Sequence, residues 1–321
     1  MNIHIVHLPH TFPFLLDLSL AFQRFGFQTI TLVANGFNLD QIKALDDFAN
    51  KNPCIRILDL PTKRILSHGE ALNYAFRLGS EEIFCFADHD IFPIAPVIED
   101  IASGLKNNAA VCLGNRPENM VNYKGFAASA TQTASGIPLI TSFFSAFRRD
   151  AVAAVSHKYK VGFEQYFRKS QLPLEFRQFP DIKALKEPFL IDTCKALSLA
   201  FYLSHKSIVH VEAEKVCHLG GLSGAISKRL AGKTAAPETA FIFEQGPGKE
   251  ALLHYYQKHQ KRHPHVLRTK QLIADYALQT IINLKSSRPP PAYESEDAEL
   301  EKRLTHIKVN LEKVIRPSIN D

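Results

Sequence analysis

The sequence predicts an α/β protein: a mixed, mostly parallel central sheet flanked by helices, Rossmann-like, followed by a C-terminal helical extension. Three observations predict it. Short apolar runs alternate with amphipathic segments over roughly the first 115 residues, the rhythm of parallel strands joined by crossover helices. The acidic triplet Asp88-His89-Asp90 directly follows one such apolar run. Beyond Lys233 only long helical patterns remain, interrupted by Arg288-Pro289-Pro290-Pro291. The expected division is 1–232 for the α/β unit and 233–321 for the extension, with a Pro-rich break near 288–291.

The elements follow in order. Ile3 to Leu8 reads as a short strand, and Phe14 to Phe25 as a helix with apolar positions 15, 18, 22 and 25 and a stop at Gly26. Thr29 to Ala34 is rich in β-branched residues and runs into the turn pair Asn35-Gly36. Leu39 to Phe48 is helical by spacing, and Cys54 to Leu60 alternates like a strand. Ser67 opens the next helix with Glu70 in capping-box spacing, and Gly79 ends it. Ile83 to Ala87 is a buried strand, Val97 to Leu105 a helix, and Ala109 to Leu113 a strand. The pattern loosens from Asn115 to Lys186, where Ser142 to Phe147 reads as a strand and Asp150 to His157 as a helix. Asp192 to Ser204 is a helix, Ser207 to Val211 a strand, and Gly220 to Gly224 a Gly-rich turn. In the last helix Leu300, Leu304, Ile307, Leu311 and Val314 form one apolar stripe, suited to docking on the domain or to a homodimer.

Composition narrows the partners. The net charge is +6, and the excess is local: over 249–288 eight Lys or Arg face only Glu250 and Asp275. Such a segment suits an anionic neighbour or a solvated helix face, and a peripheral contact with an anionic membrane is expected there, with no nucleic acid. The five cysteines are scattered without a CxxC pair, which suits a reducing compartment. Met1-Asn2-Ile3-His4-Ile5 is unlike a signal peptide, and no apolar run approaches a membrane span. The expectation is a cytoplasmic protein that visits the inner face of the membrane.

Ligands of open parallel sheets bind beyond the C-terminal strand ends, and Asp88 and Asp90 stand there. Two carboxylates at i and i+2 can share one hard cation, Mg²⁺ or Mn²⁺, that keeps positions open for diphosphate oxygens. Polar turns carry such pairs often without a metal. Gly220-Gly221-Leu222-Ser223-Gly224, with Lys228 and Arg229, could wrap a diphosphate or be a flexible loop.

Two segments together, Ser67-His68-Gly69-Glu70-Ala71-Leu72-Asn73-Tyr74-Ala75 and Ile83-Phe84-Cys85-Phe86-Ala87-Asp88-His89-Asp90, resemble the centre of the family-two glycosyltransferases with the GT-A fold. Gly69, Ala71, Asn73 and Ala75 match the family's Gly-x-Ala-x-Asn helix, and Asp88 and Asp90 its Asp-x-Asp motif. Phe143 to Asp150 resembles the strand that enters an Arg-Arg turn under the acceptor site. The resemblance covers about 1–225 and implies a nucleotide-sugar transferase active in glycan or polysaccharide assembly. It implies Asp192 as general base at a helix start, His218 as a further metal ligand, and an inverting outcome. Arg64, His68, Asn73, Asn35, Asp88, Gly221 and Ser223 are the implied donor contacts. Asp192 is equally suited to capping its helix, and His218 to a satisfied strand-end position. An imidazole ligand favours manganese over magnesium.

The chain departs from the family after the second strand, where Ala34 replaces the acidic residue that reads the base and Asn35 follows it. Leu8-Pro9-His10 likewise replaces the usual first-strand exit. A uridine-diphosphate sugar remains the first expected donor, with a carbohydrate or glycolipid hydroxyl as acceptor. Two other readings stay open: a nucleotidyltransferase of related fold, and a catalytically silent glycosyltransferase-like binding protein.

Overall fold

The computed structural model describes residues 1–62, 64–113, 125–187, 189–211, 213–230 and 264–315. Seven strands form one sheet in the order β3-β2-β1-β4-β7-β6-β8. They are β1 (Asn2–His7), β2 (Thr29–Ala34), β3 (Ile55–Asp59), β4 (Ile83–Asp88), β6 (Ala110–Leu113), β7 (Phe144–Arg148) and β8 (Ile208–His210). Only β7 runs against its neighbours β4 and β6, so the expected mixed, mostly parallel sheet is what forms. A separate antiparallel pair joins β5 (Ile91–Pro93) to β9 (Val216–His218).

Chain order reverses at β1. β2 and β3 extend the sheet on one side, and β4 adds on the other with Val6 opposite Asp88. That is the topological switch point at which such sheets open a crevice. The strands here are apolar on both faces, as burial between two helical layers requires. Ile5, Leu32, Cys85 and Val111 face one layer, while Val6, Val33, Phe84 and Phe86 face the other.

Helices α1 (Leu39–Lys51) and α2 (His68–Leu78) both begin in capping boxes, Asn38 with Gln41 and Ser67 with Glu70. The remaining longer helices are α3 (Ile98–Asn107), α4 (Arg149–Tyr159), α5 (Lys195–Leu203), α6 (Leu222–Leu230), α7 (Pro264–Lys285) and α8 (Ala298–Ile315). The helix expected over 14–25 is instead three short turns, Phe12–Leu15, Leu16–Ser19 and Leu20–Arg24. Residues 16–19 tighten to a 3₁₀ turn, which breaks the i+4 ladder without exposing the apolar face.

Leu300, Leu304, Ile307, Leu311 and Val314 share one hydrophobic cluster with the sheet and with Ile273, Ala277 and Ile281 of α7. The stripe of α8 is therefore covered by its own chain, the docking alternative of the two that the sequence offered. Of the basic stretch, 249–263 lies outside the described residues; Lys285 is held by Asp17 at 2.6 Å. Among the described residues no helix is long and apolar enough to cross a membrane.

One joint fixes the site. Gly69 and Asn73 lie one turn apart on α2, facing residues 162–164. The Asn73 carbonyl accepts from Phe163 N at 3.0 Å, and its amide donates to Glu164 Oε2 at 2.5 Å. Phe163 then packs its ring among Phe76, Phe84, Phe86 and Phe147 at centroid distances of 5.3–6.2 Å, pairs worth about 0.5–1.5 kcal/mol each beyond area burial. A Cβ on Gly69 would lie 2.1 Å from Phe163 O and 2.6 Å from Glu164 Cα, atoms that cannot swing aside. Gly69→Ala is expected to cost about 1–3 kcal/mol, read in urea denaturation as a lower midpoint at unchanged slope.

Candidate metal and active site

Asp88 ends β4, and its backbone N–H donates to Phe143 O at 2.7 Å. Two residues on, Asp90 is 6% exposed. β9 runs antiparallel to β5 and sets His218 opposite Ile91, which brings His218 Nε2 to 3.6 Å from Asp90 Oδ1. One ligand atom from each of Asp88, Asp90 and His218 falls within a mutual 4.8 Å. Three side chains from β4, the turn after it and a strand 128 positions beyond Asp90 thus converge, with the oxygen and imidazole donors that a manganese-type cation accepts.

The electrostatics of the two acids differ. Burial pushes the Asp88 carboxyl well above the usual carboxylate range, and the negative neighbours Asp90 and Asp192 push it further. Asp88 is still 26% exposed at its side chain, open to a ligand. Among the described residues its one ion-pair partner is His68, with Nε2 at 3.4 Å from Oδ1; burial, then the proximity of His89, lowers His68 to about 4, so the imidazole is neutral and supplies no counter-charge. Asp90 opposes burial through His218, His89 and the Leu222 N–H, and its carboxyl is held well below the usual range. The Leu222 N–H, 3.4 Å from Asp90 Oδ2, opens α6, so the positive end of that helix adds to the support.

Asp192 departs from expectation in its local setting. The helix begins at Lys195 rather than at Asp192. Tyr166 and Ile191 form an isolated bridge, and Asp192 N donates to Phe126 O at 3.0 Å, so the chain is still extended where capping was expected. The carboxylate instead accepts from Thr193 N at 2.8 Å and from Gln165 Nε2 at 2.7 Å. Cys194 then turns at φ 68°, a left-handed conformation that costs a non-glycine residue about 1–3 kcal/mol. The turn follows Asp192 by two residues, and the Asp192 carboxylate acts on Asp88.

Other expected contacts separate into reachable and structural. Asn35 is 1% exposed, and its amide exchanges two hydrogen bonds with the Leu66 backbone, at 2.9 and 2.8 Å. It ties β2 to the approach of α2. Asn73 serves the helix–loop joint in the same manner. Ser223 donates to or accepts from His89 Nε2 at 2.9 Å, while His89 Nδ1 lies 3.1 Å from Val6 O, so the serine fastens α6 onto the acidic turn. Gly220 and Gly221 have φ of 69° and 76°, but Ser223 and Gly224 already belong to α6, which leaves a two-residue turn rather than an encircling loop. Arg229, expected near the diphosphate, reaches Gln279 on α7 at 3.2 Å; nothing is described for the Lys228 side chain. Arg64 lines a cleft beside α2.

Several site residues carry no signal in the sequence. Gln165 lies in the irregular stretch. Lys195 is fully buried and donates from Nζ to Ala128 O, Ala130 O and Ile140 O, which folds 126–142 onto the start of α5; burial lowers its pKa to about 8, opposed by Asp192. His7 is wholly buried, bonded to Ser19 Oγ at 3.2 Å and lowered to about 3 by burial and His89. Arg303 of α8 donates to His218 O, so the extension braces the candidate ligand strand.

No family model matches the sequence, and no curated protein matches it. Among solved structures, the fold is similar to that of the mannosyltransferase PcManGT from Pyrobaculum calidifontis, in complex with GDP-Man and Mn²⁺ (12% identity, 99% of this chain, 85% of that chain, TM-score 0.45). It is similar to S. aureus TarS 1-349 in complex with UDP-GlcNAc (10% identity, 99% and 91%, TM-score 0.44). It is also similar to 4-diphosphocytidyl-2C-methyl-D-erythritolsynthase from Anaerococcus prevotii (13% identity, 67% and 89%, TM-score 0.38). These likenesses concern fold, and the functional reading rests on this chain's own residues.

The opposite shifts of the two acids give a direct prediction. In EDTA, Asp88→Asn relieves repulsion and is expected to raise Tm by about 2–4 °C per kcal/mol recovered, while Asp90→Asn, which weakens the His218 and Leu222 contacts, lowers it. Thermal melts of the two variants beside wild type check the pair; a fall in both would mean that the acids are not in conflict.

Proposed function

We propose that the protein is a divalent-metal-dependent glycosyltransferase that moves a sugar from a nucleoside-diphosphate donor to a hydroxyl acceptor. The observation that carries this is the convergence of Asp88, Asp90 and His218 beside a separately held carboxylate, Asp192. The first three would hold the cation, manganese being favoured by the imidazole. When bound, such a cation neutralises charge that develops on a leaving diphosphate.

The remaining roles belong to the chain. Asp192 is the general base: Gln165 and the Thr193 N–H fix its carboxylate, and its free lone pairs can take the acceptor proton. The acceptor oxygen forms its bond to the anomeric carbon as the carbon–phosphate-oxygen bond breaks. The electron pair leaves with the nucleoside diphosphate, and the proton ends on Asp192. A single base with direct displacement inverts the anomeric centre. His68, the first residue of α2, and the Gly221-Leu222 turn border the donor side. A uridine-diphosphate sugar is the first donor to test. A nucleotidyltransferase is disfavoured because β1 exits through Leu8-Pro9-His10 into short helical turns, with no Gly-rich basic loop.

Thermal-shift panels with UDP, GDP, CDP and dTDP, with and without Mn²⁺, test the donor half. One nucleotide should stabilise wild type only with metal, and Asp90→Ala should lose that effect. Equal stabilisation without metal contradicts the reading. For the base, Asp192→Asn should keep metal-dependent nucleotide binding and lose about 10²–10⁴-fold in transfer rate, measured by nucleoside diphosphate release with acceptor present. A wild-type rate in that variant removes Asp192 from the role.

A further inference from the structure

Beside α2 lies a cleft of about 480 Å³, within the range of small-ligand sites. One wall is the outward stripe of α2, including Tyr74 and Arg77; the other is the strip from Glu164 to Phe167, with Gln171 at its edge. Gln165 belongs both to this wall and to the active site, since its Nε2 donates to Asp192 Oδ1 at 2.7 Å. Its Oε1 is buried without a hydrogen-bond partner. A buried amide oxygen left in that state costs about 1–3 kcal/mol, which a donor group on a ligand at this end of the cleft would recover.

The lining favours one chemistry. Its two carboxylates are already engaged: Glu70 accepts from Ser67 N and Oγ at 2.9 and 2.8 Å, and Glu164 accepts from Gly162 N, Asn73 Nδ2 and Tyr166 OH. Neither Arg64 nor Arg77 has a carboxylate partner among the described residues; Arg77 lies 4.6 Å over the Tyr74 ring. The lining thus offers planar cationic forks, an amide and aromatic faces. Aromatic rings suit the C–H faces of a sugar, and a guanidinium fork suits a carboxylate or phosphate on it.

We propose that this cleft is the acceptor subsite and takes an acidic saccharide, one bearing a carboxylate or a phosphate, with the reacting hydroxyl passing Gln165 to reach Asp192. The inference rests on the glycosyltransferase reading for its consequence, but the binding it describes stands or falls separately.

The test is saturation-transfer difference NMR on the full chain with Mn²⁺, using methyl glucuronide, glucose 6-phosphate and methyl glucoside as probes. At least one acidic probe should bind at least tenfold more tightly than the neutral glucoside, and the two acidic probes show whether carboxylate or phosphate is preferred. Arg77→Gln, at an exposed position of a capped helix, and Tyr74→Ala should weaken the acidic probe at least tenfold. Arg77→Gln should leave Tm as in wild type, and both variants should keep metal-dependent nucleotide stabilisation. Equal binding of the neutral probe, no binding of any probe, or wild-type binding by both variants overturns the acidic-acceptor cleft. If acidic probes bind as expected while no nucleotide stabilises the protein with metal, the cleft stands and the transferase reading fails.

Discussion

Mutual repulsion among three carboxylates at the exit of β4 is the constraint on which the rest of the structure depends. Asp88, Asp90 and Asp192 lie close enough to raise the Asp88 carboxyl, and the imidazole nearest to Asp88 is kept neutral by burial. Folding the chain into this arrangement is unfavourable on its own. It persists because other elements over-determine it. Asp90 is held by His218 and the start of α6, and Asp192 by Gln165, Thr193 and a left-handed Cys194. Asp88, Asp90 and His218 form a group whose ligand atoms could hold a metal ion, and a cation there would offset this repulsion.

The scaffold around the site is stiff for reasons that can be traced to single residues. Gly69 lets α2 approach residues 162–164, Asn73 bonds across that contact, and Phe163 anchors it in an aromatic cluster. Gln165, two residues after that anchor, inherits its position. On the opposite side of the sheet the C-terminal helices complete the core, and Arg303 braces the backbone of His218. The extension is therefore part of the site's support.

Much of this was legible in the sequence, and the reasons differ by element. The capping box at Ser67 and the strand ending in Asp88 are local patterns, set by interactions over three or four residues, and they fold as read. The pairing of His218 with Asp90 came through a family resemblance, because a contact over 128 positions leaves no local trace. Asp192 was placed on a helix start, but tertiary pairing at Tyr166 and Ile191 holds the chain extended three residues longer. The family resemblance implies Asn35 and Asn73 as donor contacts; in the structure the Asn35 amide bonds the Leu66 backbone, and Asn73 bonds Phe163 N and the Glu164 carboxylate. Gln165, Lys195 and Arg303 act through contacts between segments that periodicity alone cannot connect.

The most direct measurement is pulsed EPR of Mn²⁺ bound to the full chain. The account predicts electron spin echo modulation from one directly coordinated imidazole nitrogen, lost in His218→Gln while a weaker metal signal remains through the acidic residues. Nitrogen modulation unchanged in that variant, or absent from wild type, would contradict a cation seated between Asp88, Asp90 and His218.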